Sequence, residues 1–354
     1  MRYFKGVEDK KMKKLAIFFV QCIVFTIMIY TQTVKLELIK KIDTETTNYI
    51  ITPSQDILKT DGKRIYILSV KEKKFFVLSK DGEYKGVYFK KGEGPCGLKY
   101  AYDFFLLPDK KIVFFNSSKE FKFFKLKTVN CFSKKVVHNI YMPVQIKLIE
   151  KDKYLVLKSI PVVSGDDGSY KYLFYFYDIK QNKTINMFYE FNVKDESRLK
   201  YIRGEFGKGN FVVSQKKIFL VFDQPGFIRI FNTNGRFFAK IKSEFPFLKR
   251  NKASVVKKQQ GDYLITRIKS DEKCKMKLIE LNNKVYLIIR NNDLKRGEID
   301  FYFGEVDIKT KVVRNIIKFD FGDPRERILY YKSNYKNLLI FGNDDFIYIY
   351  SISL

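Results

Sequence analysis

The sequence predicts an all-β protein, a six-bladed β-propeller over residues 34–354, and three observations carry that prediction. The first is a weak internal repeat in which an extended, aromatic-rich strand, a turn and a second such strand recur six times. The leading strands lie at Ile65–Leu68, Ile112–Phe115, Tyr154–Leu157, Ile218–Val221, Tyr263–Thr266 and Leu338–Phe341. Units of about four short strands repeated tens of residues apart are the signature of a radial propeller. The second is composition: 24 Tyr and 35 Phe suit pleated surfaces, and a hydrophobic fraction of 45% is ample for a large core. The third is that no segment from Val34 onward keeps a helical period for three turns.

Taken in chain order, Lys10, Lys11, Lys13 and Lys14 precede an uncharged run of 17 residues, Leu15–Thr31. Basic residues before an apolar stretch form an export signal, and this one is just long enough to span a bilayer as a helix. Residues 1–33 are therefore expected to be a signal peptide or a membrane anchor, with the positive flank kept in the cytoplasm and the body sent outward. Thr31-Gln32-Thr33 is the nearest approach to a cleavage site, and Phe19-Val20-Gln21 before Cys22 lacks the small residue of a lipoprotein signal.

Next comes a strand, Val34–Ile39, that belongs to no repeat. The blades are expected at Asn48–Lys90, Tyr100–Ile140, Val144–Phe191, Gly209–Ser243, Ala253–Phe319 and Arg327–Leu354. The last has one strand too few, so Val34–Ile39 is expected to complete it as the outermost strand and close the ring. The fifth has too many residues, and the surplus is assigned to an extra hairpin at Lys275–Arg290 around Asn282-Asn283, a seventh, shortened blade being the alternative. Thr60-Asp61-Gly62-Lys63, Lys80-Asp81-Gly82-Glu83 and Asn232-Thr233-Asn234-Gly235 supply the Asx-Gly chemistry of tight turns.

The net charge of +29 raises the question of nucleic acid, but only 13 of the 68 basic residues are Arg and the other 55 are Lys. Base reading and bidentate phosphate contacts favour Arg, and the lysines are spread along the chain. Nucleic acid is not the expected partner; a lysine-rich polyanion binder at the cell surface stays open as an alternative. Cys22, Cys96, Cys131 and Cys274 show no paired spacing, so no disulfide framework is expected.

Between the first two blades stands Gly92-Glu93-Gly94-Pro95, after the hairpin turn Lys80-Asp81-Gly82. This strand, Asp-Gly turn, strand, Gly-x-Gly-Pro order resembles the bacterial six-bladed β-propellers related to NHL-repeat and TolB-like proteins. Cys96-Gly97-Leu98 stands where those chains often carry Gly-Glu-Phe, so the match covers about ten residues. The resemblance implies a propeller in an extracytoplasmic location and no particular activity. Physically, the glycines permit the tight crossing between blades, and with no Lys-Ser/Thr and no helix following they do not make a phosphate cradle.

Catalytic chemistry is sparse. His138 is the single histidine, which removes multi-histidine metal sites, and no Gly-x-Ser-x-Gly elbow is present. Asp166-Asp167-Gly168 and Asn343-Asp344-Asp345 could hold Ca²⁺ through oxygen ligands, but both lack alternating Asp-x-Asp-x-Asp-Gly spacing and read first as turns. No catalytic residue, metal ligand or cofactor is assigned, Ca²⁺ being the one ion such carboxylates would suit. Glu93, Asp103, Asp109 and Asp223 are candidates to face a central funnel. Loops between blades ring one propeller face, which makes Glu93, Arg203, Glu205, Arg325 and Arg327 the expected binding rim. The expected function is an exported or membrane-anchored module that binds a protein or small-molecule ligand on one face. A Ca²⁺-dependent lactonase- or hydrolase-like propeller is the alternative.

Overall fold

The computed structural model describes residues 35–353 apart from connecting segments, the longest of which are 90–96, 136–142, 159–171, 191–208 and 322–327. Leu36–Ile352 form one compact unit; Met1–Lys35 with Ser353–Leu354 separate as a second. The expected signal or anchor helix falls outside the described residues. Among the described residues, no helix is long and apolar enough to cross a membrane.

The chain begins with β1 (Lys35–Asp43). A first sheet follows from β2 (Ile57–Thr60), β3 (Arg64–Ser69), β4 (Lys74–Ser79) and β5 (Tyr84–Phe89). The second comprises β6 (Ala101–Leu106), β7 (Lys111–Asn116), β8 (Glu120–Lys125) and β9 (Asn130–Lys135). The third comprises β10 (Pro143–Glu150), β11 (Lys153–Lys158), β12 (Tyr172–Asp178) and β13 (Lys183–Glu190). The fourth comprises β14 (Asn210–Ser214), β15 (Lys217–Val221), β16 (Phe227–Asn232) and β17 (Phe237–Lys242). A two-stranded hairpin, β18 (Ala253–Gln260) and β19 (Tyr263–Ser270), stands apart. The fifth sheet is β20 (Cys274–Leu281), β21 (Lys284–Asp293), β22 (Glu298–Asp307) and β23 (Val312–Lys318). Finally β24 (Tyr330–Tyr335), β25 (Leu338–Gly342) and β26 (Phe346–Ser353) join β1, which lies outermost on β26, in a composite sheet.

The burial pattern explains this order. Second strands read as unbroken apolar runs because both their faces are covered: Ile218, Phe219, Leu220 and Val221 of β15 are all fully buried. Fourth strands alternate with charge, as in Phe237-Phe238-Ala239-Lys240-Ile241-Lys242 of β17, because their outer edge meets solvent. β1 is exposed over most of its length for the same reason.

Each four-stranded sheet packs both faces against neighbours. The first meets the second through Phe75, Val77, Phe104 and Phe114, and the second meets the third through Phe105, Val113, Ile146 and Tyr175. Phe174, Phe188, Phe211 and Phe231 join the third to the fourth; Ile230, Ile241, Met276 and Leu287 join the fourth to the fifth. The fifth meets the composite sheet in an aromatic seam where Phe341 lies 5.1–5.9 Å from Phe301, Phe319, Phe321, Tyr331 and Tyr350. Ile340, Ile347 and Ile349 then meet Ile65, Ile67 and Phe76 of the first sheet, so the succession of interfaces returns to its start.

Three expectations are corrected. Five sheets, not six, are drawn whole from consecutive strands, although β1 does lie outermost on β26, as expected of Val34–Ile39. The repeated apolar segments are not leading strands: they fall on β3, β7, β11, β15 and β25, the second strands of their sheets. The surplus in the fifth blade is not Lys275–Arg290, which builds β20 and β21 of the sheet proper. It is the hairpin β18–β19, where Tyr263–Thr266 lies, while the buried second strand of that sheet is Val285–Ile289. The two apolar runs look alike in sequence; Val285–Ile289 is buried as the second strand of a four-stranded sheet, and Tyr263–Thr266 pairs within the two-stranded one.

The turns behave as their residues require. Gly62, Gly82 and Gly235 take φ of +83°, +87° and +89°. Asp61 Oδ1 accepts from Lys63 N and Arg64 N at 2.9 Å, while Tyr66 OH donates to Asp61 Oδ2 at 2.7 Å. Asn343 repeats the device, its Oδ1 accepting from Asp345 N and Phe346 N and its Nδ2 donating to Tyr348 OH. Asn343 is thus a turn former, in keeping with the turn reading of Asn343–Asp345.

Candidate functional site

The first strand of each sheet pairs on one side only, so its other edge leaves backbone groups in need of partners. The sequence supplies these strands with polar side chains: Lys59 on β2, Asp103 on β6, Gln145 and Lys147 on β10, Asn210 on β14, Lys275, Lys277 and Glu280 on β20, and Lys332 and Asn334 on β24. Several of them stitch one first strand to the next. Gln145 grips Phe211 at both ends, donating from Nε2 to its carbonyl at 2.7 Å and accepting from its N–H at 2.9 Å. Asn210 Oδ1 accepts from Leu278 N at 2.6 Å, and Asn334 Nδ2 donates to the Glu280 carbonyl at 3.3 Å. Tyr331 OH orients Asn334 by donating to its Oδ1 at 2.8 Å. Lys59 Nζ pairs with Asp103 Oδ1 at 2.8 Å and also donates to the Phe104 carbonyl, and Lys332 Nζ donates to the Asp56 carbonyl at 3.4 Å.

One ion pair locates the centre of this arrangement. Lys147 Nζ lies 3.9 Å from Glu280 Oε2, although β10 and β20 belong to sheets with the whole fourth sheet between them. Such a pair forms only where first strands converge.

The electrostatics favour negative charge. Lys59 pairs with Asp103 and Lys147 with Glu280, while Asp56, Lys277 and Lys275 act on Lys332, so amines outnumber carboxylates among these groups. Loss of solvent pushes the Lys332 ammonium down to about 8; Asp56 opposes that shift, and Lys277 and Lys275 add to it. Burial also lowers Lys147, with Glu280 opposing. Chemically, such a cluster can hold an anionic group, and a lysine that is partly neutral near pH 8 can accept a proton. No group of three His, Cys, Asp or Glu side chains suited to a metal ion occurs among the described residues. Cys274 is buried, and burial together with the nearby Asp223 carboxylate pushes its thiol up, which keeps it protonated.

Of the residues singled out from sequence, Asp103 is placed on a first strand, in its ion pair with Lys59. Asp223 sits beside Cys274. Glu93, Arg203, Glu205, Arg325 and Arg327 lie outside the described residues, as do Asp109, His138 and Asp166–Asp167. Sequence reading missed Gln145, Lys147, Asn210, Lys275, Lys277, Glu280, Lys332 and Asn334. The signal that could have found them is local: polar residues interrupt a strand that sits one tight turn before an unbroken apolar strand, as in Pro143–Glu150 and Cys274–Leu281.

No protein-family model matches the chain, and no curated protein matches it. Solved structures do. One is a Bacteroides fragilis protein whose name assigns it provisionally to export, with 10% identity over 90% of this chain and 96% of that one, at a TM-score of 0.54. Another is a member of the DUF4221 family from Bacteroides vulgatus, with 9% identity over 90% of this chain and 98% of that one, at a TM-score of 0.57. The fold is that of a β-propeller. At such identities the likeness concerns the fold, and the propeller's own side chains must supply any account of what it does.

Proposed function

We propose that this propeller is an exported binding module whose ligand is received where the first strands converge. The observation that carries the reading is the row of polar side chains on those strands, centred on the Lys147–Glu280 pair across the fourth sheet. Gln145, Asn210 and Asn334 satisfy strand-edge backbone groups, whereas the charges of the Lys147–Glu280 pair are better suited to recognition than to stability. Export rests on Lys10–Lys14 followed by Leu15–Thr31, and the provisional name of the Bacteroides fragilis neighbour is in line with it. By the same segment the protein is held at, or released from, the outer face of the membrane. The expected rim of Glu93, Arg203, Glu205, Arg325 and Arg327 belongs to the connections leading into β6, β14 and β24, so it would extend the same site.

Two measurements test this. A periplasmically active phosphatase fused after Leu354 should be active outside the cytoplasm, and activity confined to the cytoplasm would remove export. Ligand-dependent shifts in melting temperature across neutral, anionic and cationic small molecules should disappear in Glu280→Gln or Lys147→Gln. Shifts that survive both substitutions would place the ligand elsewhere. Turnover of an ester or lactone that EDTA abolishes and Ca²⁺ restores would replace the binding module with an enzyme.

A further inference from the structure

We propose that the end of the propeller carrying the turns between first and second strands docks on an anionic phospholipid surface. Phe237 and Phe238 enter among the headgroups, and Lys216, Lys217 and Arg236 meet the lipid phosphates. Which membrane is meant rests on the export reading, and nothing here depends on the ligand received at the convergence of the first strands.

Contacts between these turns put them at one end. Gln215 Nε2 of the β14–β15 turn donates to the Asn283 carbonyl of the β20–β21 turn at 3.0 Å. Asn334, near the end of β24, meets Glu280, near the end of β20. A Cβ on Gly62, in the β2–β3 turn, would stand 2.7 Å from the ring of Tyr335, where β24 ends. The β16–β17 turn belongs to the same end, because β14 to β17 pair as consecutive antiparallel neighbours. The chain also enters the propeller here. β26 finishes at this end, where Ile352 N donates to the Asn337 carbonyl at 2.9 Å, while Thr44 is held by Asp345 just before β26 starts. β1 therefore runs from Lys35 at this end to Asp43 at the other. Lys35 follows Thr31, the last residue of the apolar run, by four positions.

The surface chemistry of this end is that of an interface. Phe237 is 60% exposed and Phe238 47%. β17 bulges between Phe237 and Ala239, so neither ring joins the alternation that buries Ala239 and Ile241. Phe237 meets Phe231 edge-on at 5.9 Å and leaves the rest of its ring in solvent. Lys217 Nζ lies 4.1 Å from the centre of the Phe238 ring. Lys217 is also in register with Asn232, whose N–H donates to the Arg236 carbonyl at 2.9 Å. Lys216 precedes Lys217 in the exposed β14–β15 turn. Residues 214–217 and 232–242 contain no Asp or Glu, and among the described residues no carboxylate pairs with these three cations. Phenyl rings that need cover and cations that need counter-charge are satisfied together at a phospholipid headgroup layer. The Lys217 stem across Phe238 lets the amine stay among phosphates while the ring goes deeper. A second copy of the chain would bring the same positive charge and be repelled.

The chain has no Trp, so Phe237→Trp gives a single fluorescent probe. The full-length variant is combined with vesicles of two parts phosphatidylcholine to one part phosphatidylglycerol, with brominated acyl chains. Its emission should shift to the blue and fall by about half, as for a ring seated about 5–10 Å into the headgroup–acyl boundary. Phe227→Trp, at the opposite end of the same sheet and 37% exposed, should be unaffected. Lys216→Glu with Arg236→Glu, added to Phe237→Trp, should abolish the quenching without moving the melting temperature. Vesicles of phosphatidylcholine alone should likewise give none. Phe238→Trp repeats the measurement if Phe237→Trp does not fold. Equal quenching of Phe227→Trp and Phe237→Trp, or none of Phe237→Trp in protein that floats with the vesicles, would overturn docking by this end. Quenching that survives charge reversal would overturn the anionic partner. The phosphatase fusion reads export separately, so a failure here and a failure of export are told apart.

Discussion

Replacing Phe341 by Ala should loosen the seam that joins the fifth sheet to the composite sheet. The ring of Phe341 is fully buried and touches five other aromatic rings, drawn from β22, β24, β26 and the segment after β23. Removing a buried Phe side chain costs about 3–5 kcal/mol, from lost transfer free energy and the cavity left behind. The upper part of that range applies here, because rings already packed edge-to-face on one another cannot collapse into the gap. An unfolding entropy of about 2.1 cal/mol/K per residue over ~320 residues makes each kcal/mol worth about 1.5 °C. A fall of about 5–7 °C in melting temperature is therefore expected by calorimetry, with Phe341→Leu losing roughly a third of that. A variant melting within about 1 °C of the parent would show that the seam is not under load, and the argument for a continuous circuit of packed sheets would fail.

Other expectations are more local. Gly235→Ala must hold φ at +89° and would bring its Cβ within 2.8 Å of the Phe188 ring, so a loss of about 1–3 kcal/mol is expected by chemical denaturation; Asn234→Ala is the milder control. Asn210→Ala removes the acceptor for Leu278 N and should cost about 1–3 kcal/mol, whereas a neutral result would mean that water replaces it. The lowered Lys332 amine binds fewer protons folded than unfolded between about 8 and the ordinary lysine value, so folding stability contributed at this site rises with pH through that window. Lys332→Met should accordingly be more stable than the parent at pH 7, with the difference shrinking toward pH 10 in urea titrations. Tyr286, pushed up to about 12 by burial and the Glu305 carboxylate, should stay protonated at pH 11 in ultraviolet titration.

The fold was legible because its strongest signal is local and repeated. An unbroken apolar strand preceded and followed by a tight turn marks a second strand wherever it occurs, and Asp61, Gly82 and Gly235 did in space what their chemistry announced. The misassigned hairpin shows the limit of that signal. Tyr263–Thr266 and Val285–Ile289 are both apolar runs, and which of them joins a four-stranded sheet is decided by the strands that pair with it, not by the run itself. The site was harder still. Lys147 and Glu280 are 133 positions apart, and each alone reads as an ordinary exposed charge on a strand. Gln145 and Asn334 acquire meaning only once the strand edge they satisfy is known to be unpaired.

The composite sheet also dictates when the molecule can be finished. Thr44 donates from both its N–H and its hydroxyl to the carbonyl of Asp345, across 301 positions of chain. By the usual logarithmic dependence, bringing together the ends of a loop that long costs about 5 kcal/mol. β1 is made before any other described strand, yet its partner β26 is made last, so synthesis and assembly run in opposite senses. Until β26 exists β1 has no strand of the composite sheet to pair with, so that sheet, and with it the last interface of the circuit, forms only when the whole chain has been made.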